Sequence, residues 1–285
     1  MWHGRICKDE VEGVRRVNVL GVGISAIDPP TAVQTMADWI EARDRHYVCV
    51  CAVHVVTECE RDPALRAMVN NAALAVPDGM PLAWIARIRG EPLTRRVYGP
   101  DLMLAFCRLA AQRGYRSFLL GGAPGQPEIL ADRLIAQFPG LSIAGTLATP
   151  ERPLTPEANA RAVEAINRAG ADVVWVGMGA PLQERWMAEN RANVEAPVLV
   201  GVGAAFDIHT GRVRQAPHWM QRAGLEWLFR LTQEPGRLWR RYLIGNPLFM
   251  WKLLGQWLGL RKYDLVGSDG EADRGARQCQ EGTVR

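Results

Sequence analysis

Short apolar runs alternate with amphipathic stretches along most of this chain, and nearly every junction carries glycine, proline or aspartate. Runs at 16–20, 46–53, 72–76, 117–120, 141–144, 172–176 and 198–202 are continuous rather than alternating, as in strands buried on both faces. Helical spacing follows at 28–42, 62–72, 80–88, 99–113, 125–138, 155–169 and 182–193, with Asp62-Pro63 and Thr155-Pro156 as helix starts. This pattern predicts an α/β fold: a Rossmann-like, mostly parallel sheet with helices on both faces. After Asp207 it stops. Segments at 219–231, 234–244 and 247–260 are all helical in period, which predicts a C-terminal helical appendage. The expected organisation is an N-terminal arm over 1–15, an α/β domain over 16–210, a basic helical appendage over 211–262 and a disordered polar tail over 263–285.

Composition narrows the function. Hydrophobic residues at 48% and charged residues at 22% are ordinary globular values. No run of eighteen apolar residues exists to span a bilayer, and residues 1–16 lack the apolar core of a signal peptide, so a cytoplasmic protein is expected. Cys49, Cys51, Cys59 and Cys107 sit in apolar surroundings and read as reduced core thiols. The spacing of Cys49, Cys51, His54 and Cys59 matches no common zinc pattern, so no metal is expected. The net charge of +4 is unevenly placed. Between Arg212 and Lys262 the basic residues are opposed only by Glu226 and Glu234, and Trp219, Trp227, Trp239, Trp251 and Trp257 lie among them. Arginine mixed with tryptophan suits an anionic membrane surface.

Candidate site residues lie at strand-to-helix junctions, where open α/β sheets bind ligands. Asp78-Gly79 stands between a buried run and a helix; the acid reads either as a helix cap or as a functional carboxylate. Gly21-Val22-Gly23, Gly121-Gly122 and Gly177-Met178-Gly179 read as tight turns able to offer N–H groups to a phosphate, although none is a full dinucleotide fingerprint or P-loop. Arg95-Arg96 reads as a solvated pair or a phosphate clamp. Gln183 and Glu184 open a helix, with the Gln183 amide available to a sugar or base edge. Asp207 ends the glycine-rich stretch after the last strand and reads first as a cap.

Taken in order, Asp78-Gly79, Arg96, Leu119-Leu120-Gly121-Gly122, Gly177-Met178-Gly179-Ala180-Pro181-Leu182-Gln183-Glu184, Gly201 to Asp207, Ala216-Pro217 and Gly224 to Arg230 resemble the WecG/TagA/CpsF family of bacterial glycosyltransferases. The resemblance runs from about Arg16 to Tyr242. It implies an inverting hexosyltransferase that uses a UDP-sugar donor, acts on a sugar carried by a polyprenyl diphosphate in surface or exopolysaccharide synthesis, and needs no obligatory metal or other cofactor. It also implies a peripheral location on the inner face of the cell membrane, with no nucleic acid as partner; a homo-oligomer stays open. Carried over residue by residue, it makes Asp78 the catalytic base, Arg96 the arginine facing the phosphates and Gln183 a site residue, with Arg230, Arg237 and Arg240 in the appendage that docks and helps close the site. Gly79, Gly121, Gly122, Gly177, Gly179, Glu184 and Asp207 complete the expected substrate-binding set. One departure stands out: Val50-Cys51-Ala52 replaces the Thr-x-Asn of many members. His54 after it resembles the exopolysaccharide branch and points to glucose. Two other readings stay open on the same residues: a nucleotide-dependent oxidoreductase, or a non-catalytic subunit of a polysaccharide assembly complex.

Overall fold

The computed structural model describes residues 14–150 and 153–265. The elements follow the chain as β1 (Arg16–Val19), β2 (Val22–Ser25), α1 (Pro29–Ala42), β3 (His46–Cys51), α2 (Val53–Arg61), α3 (Pro63–Asn70), β4 (Leu74–Pro77), α4 (Met80–Ile88), α5 (Gly99–Arg113), β5 (Arg116–Gly121), α6 (Gln126–Gln137), β6 (Ser142–Leu147), α7 (Pro156–Ala169), β7 (Val173–Gly177), α8 (Leu182–Asn190), β8 (Val198–Gly201) and α9 (Ala205–His209). The appendage then adds α10 (His218–Arg222), α11 (Glu226–Gln233), α12 (Pro235–Trp239), a π-helical turn (Arg240–Ile244) and α13 (Gly245–Trp257).

Strands β3 to β8 form one six-stranded sheet in the order β4-β3-β8-β7-β5-β6, and every pairing is parallel. Alternate residues of each strand enter opposite cores. Along β3, Cys49 and Cys51 join the apolar cluster on one face, while Val48 and Val50 join the other. Burial on both faces is why these strands read as unbroken apolar runs. The chain moves outward from β3 to β4 and, on the opposite side, from β5 to β6, then returns with β7 and β8 to fill the centre. Where these windings diverge, the carboxyl ends of β3, β8 and β7 leave a crevice.

The first expected strand does not join this sheet. β1 and β2 form an antiparallel hairpin, with Leu20 and Gly21 at φ of 51° and 86° in a two-residue turn. Gly21-Val22-Gly23 is therefore not a phosphate-binding turn, and its glycines serve the hairpin. The hairpin shields the β4 edge: Ser25 Oγ accepts from the Ala75 N–H at 3.0 Å, and the Arg16 guanidinium donates to the Asn70 and Ala73 carbonyls at 2.7 and 3.1 Å. The strand expected over 46–53 ends at Cys51, and α2 starts at Val53. Valines continue across that boundary with no breaker, so the change of period is hidden in the sequence. Tyr263, placed in the expected disordered tail, is ordered: its carbonyl accepts from Asn18 Nδ2 at 2.6 Å. The rest of that tail, from 266, and the N-terminal arm up to residue 13 lie outside the described residues.

Candidate active site

The crevice deepens into a cavity of about 660 Å³ roofed by the appendage. Its floor is built from chain leaving the strands: Ala52 and His54 after β3, Asp78 and Gly79 after β4, Gly122 after β5, Met178 and Gly179 after β7, and Gly203 after β8. Its roof carries Glu226, Arg230, Arg237 and Arg241.

Asp78 follows directly from β4. Its N–H donates to the Cys51 carbonyl at 2.9 Å, continuing the sheet register by one residue. Its Oδ1 accepts from the Gly99 N–H at 3.0 Å, so the carboxylate caps the start of α5 rather than its own helix, where Gly79 is the capping residue. The acid is therefore a cap, though of α5 rather than α4, and its Oδ2 makes no hydrogen bond among the described residues. Burial pushes the Asp78 pKa up to about 6, against the opposing pull of Arg96 and the Gly99 N–H.

Arg96 is no solvated charge. Nε donates to the Asp78 carbonyl at 2.6 Å, the guanidinium lies 3.9 Å above the centre of the Tyr98 ring, and Nη2 pairs with Glu226 of α11. Arg95 beside it is exposed. Arg230 and Arg237 share Glu234, at 3.6 and 2.5 Å. Asp207 is not a cap for α9. Its Oδ1 accepts from Gln126 Nε2 at 2.9 Å, and it lines the cavity opposite the arginines.

Gln183 lines the cavity, yet its amide is engaged inward. Oε1 accepts from the Gly203 N–H at 2.9 Å and Nε2 donates to Glu184 Oε1 at 2.9 Å. It braces the loop after β8. Glu184 is fully buried behind it and does not reach the cavity; burial raises its pKa to about 7, and Oε2 has no partner among the described residues. Gly121 and Gly177 are glycines through crowding. A Cβ on Gly121 would lie 2.6 Å from the Gly177 carbonyl carbon, and one on Gly177 would lie 2.6 Å from the Phe206 ring. Gly121 lies outside the cavity wall, whereas Gly122, Gly177 and Gly179 line it.

The appendage departs by one residue from expectation. Arg240 is exposed and lies beside the Trp239 ring, while Arg241 turns into the cavity and donates to His54 Nδ1. The π-helical turn shifts which side chains face inward, and no composition signal marks it. Glu226 and Arg241 are the site residues that sequence reasoning passed over. Among the described residues no three His, Cys, Asp or Glu side chains gather as a metal site, and Cys49, Cys51, Cys59 and Cys107 are buried free thiols.

Residues 17–263 match the family model of the glycosyl transferase WecG/TagA/CpsF family. The chain belongs to that family. It is 31% identical over 189 residues to an N-acetylglucosaminyldiphosphoundecaprenol N-acetyl-beta-D-mannosaminyltransferase of Bacillus spizizenii (strain W23), covering 65% of this chain and 70% of that one. It is 27% identical over 224 residues to the protein of the same description from Bacillus subtilis (strain 168), covering 75% and 84%. The match spans the sheet, the carboxylate-bearing turn after β4 and the arginine-rich roof alike.

Proposed function

We propose that this protein transfers a hexosyl unit from a UDP-sugar to the sugar of a polyprenyl-diphosphate carrier, with inversion, at the inner face of the cell membrane. The observation that carries this is Asp78: a carboxylate with one oxygen fixed and the other free, facing a cavity crowned by arginines. In this reading the acceptor hydroxyl oxygen attacks the anomeric carbon from the face opposite the diphosphate. Its proton passes to Asp78 Oδ2, and the bond from the anomeric carbon to the phosphate oxygen breaks with its electron pair going to UDP. With a pKa near 6, Asp78 is ionised at neutral pH yet basic enough to take that proton. Arg96 and the roof arginines stabilise the departing diphosphate.

The two relatives' description names N-acetylmannosamine as the sugar moved and a diphosphoundecaprenol-linked N-acetylglucosamine as acceptor. A lipid-borne acceptor accords with the outer face of α13. Phe249 and Leu253 are buried while Met250, Trp251 and Leu254 are exposed, so this helix is apolar inward and outward. Among the described residues no helix is long and apolar enough to cross a membrane. Interfacial docking suits such a helix. Val50 and Ala52 give the floor an apolar lining, and that is where donor choice between glucose and an N-acetylmannosamine-type sugar would be set. The test is UDP release from a panel of UDP-sugars with a lipid-linked acceptor. Turnover of one donor, dependent on acceptor, is expected; no release with any donor would remove the reading.

A further inference from the structure

Four arginines face the cavity, and three of them make ion pairs within the protein. Arg96 is paired with Glu226, and Arg230 and Arg237 share Glu234. Arg241 makes no ion pair among the described residues. Its partner is the His54 ring at the amino-terminal end of α2, on the opposite wall. A guanidinium has only donors, so His54 Nδ1 must accept and the neutral ring carries its proton on Nε2. Burial, reinforced by the neighbouring Arg241, Arg230 and Arg237, holds the His54 pKa well below the ordinary value, which keeps it in that acceptor form. The arrangement has a specific consequence. A carboxylate would orient Arg241 and cancel its charge; a neutral imidazole orients it and leaves the charge in place. Arg241 Nε is buried with no hydrogen-bond partner among the described residues, and burial lowers the guanidinium pKa although Asp78 opposes the shift from beyond ion-pair distance.

We infer that Arg241, positioned by His54, is a diphosphate-recognition residue of this site. An anion entering the cavity is what balances it, and the two anions of the proposed reaction, UDP and the lipid diphosphate, present the same group. The inference rests on the glycosyl-transfer reading. His54 acts only through Arg241 and is a positioning residue. The assignment also moves the recognition role one position along the chain from exposed Arg240.

Calorimetric titrations with UDP and, separately, with farnesyl diphosphate as a short lipid-diphosphate probe test it on the full chain. Arg241→Gln is expected to weaken at least one of the two about tenfold or more at unchanged melting temperature, and the probe affected tells which diphosphate is read. His54→Phe, which removes the acceptor, should weaken the same probe. His54→Asn, which keeps a side-chain acceptor, should recover most of the loss, a rescue that a purely space-filling histidine would not show. If Arg241→Gln fails to fold, Arg241→Lys is titrated against the same thresholds. Binding of both probes within twofold of wild type by the folded arginine variant overturns the inference and leaves the glycosyl-transfer reading standing. Failure of the wild-type protein to bind either probe removes that reading, and the inference with it.

Discussion

Asp78 does two things with two oxygens, and a single substitution separates them. Asp78→Asn keeps an oxygen for the Gly99 N–H but cannot take a proton. Turnover should fall by at least about 100-fold while UDP affinity holds, read by steady-state rates and titration. Because burial has raised the Asp78 pKa from 3.8 to about 6, its ionisation disfavours the folded state above pH 6. The asparagine variant should therefore melt no lower than wild type at pH 7.5; a lower melting point together with retained turnover would make Asp78 a cap and nothing more. Glu184 gives a second pH-dependent test. Its pKa rises from 4.5 to about 7 on folding, so the folded state binds the proton more tightly. The stability this confers is complete below pH 4.5 and is lost as pH rises through 7. Glu184→Gln should match wild type near pH 4.5 and melt a few degrees higher at pH 8, with the gap opening between. A constant gap across that range would refute the assignment. Sequence alone could place both acids at strand-to-helix turns. It could not show that Glu184 points into the core and Asp78 into the crevice, because Glu184 lies on the buried side of α8 whereas Asp78 sits ahead of α4 and turns to the start of α5.

At the scale of elements, the parallel sheet was legible because β3, β7 and β8 are buried on both faces and so uninterrupted by polar residues. The β1–β2 hairpin was not. Its turn pairs Leu20 with Gly21, and a leucine at positive φ carries none of the asparagine or aspartate signal that marks such turns. Two of the three expected glycine turns lie at strand-to-helix junctions, and at Gly121 and Gly177 crowding alone requires glycine. At Gly177 the cause is the Phe206 ring, whose Cδ2, Cγ and Cε2 atoms would lie 2.6–2.8 Å from an added methyl. Gly177→Ala should thus behave as overpacking, costing about 1–3 kcal/mol and lowering the melting point by several degrees. Phe206 lies in the first turn of α9, so the displacement would also reach the cavity wall that carries Asp207. An alanine variant with wild-type melting would show that the turn after β7 can yield, and would return the glycine to a ligand-facing role.

For the whole molecule, α13 adds two ties to the α/β body away from the cavity, and its outer face stays exposed among the described residues. Lys252 of α13 pairs with Glu60 of α2 at 2.7 Å, and Gln256 Oε1 accepts from the Leu20 N–H in the hairpin turn at 3.1 Å. These contacts and the buried Phe249 and Leu253 fix one face of α13. The opposite face presents Met250, Trp251, Leu254, Trp257 and Leu258, one apolar stripe by helical spacing, with exposed Arg240 before it and Arg261 and Lys262 after it. The arginines split by address: Arg230, Arg237 and Arg241 face the cavity, and the outward set is free for a charged surface. A docking test must therefore use the outward set, since reversing Arg230 or Arg237 would damage the site as well. Arg240, Arg261 and Lys262 changed together to Glu should release the protein from anionic liposomes at low salt, each charge being worth roughly 1 kcal/mol near such a surface. Trp251→Ser should weaken binding to neutral liposomes too, because it removes insertion rather than attraction. High salt should mimic the triple change in the wild-type protein, as screening shortens the reach of exposed charges to a few ångströms at about 1 M. UDP affinity should survive the Arg261 and Lys262 changes, separating membrane address from chemistry. Sedimentation of the triple variant with anionic liposomes as complete as that of wild type would mean that this stripe is covered by a protein partner instead of lipid.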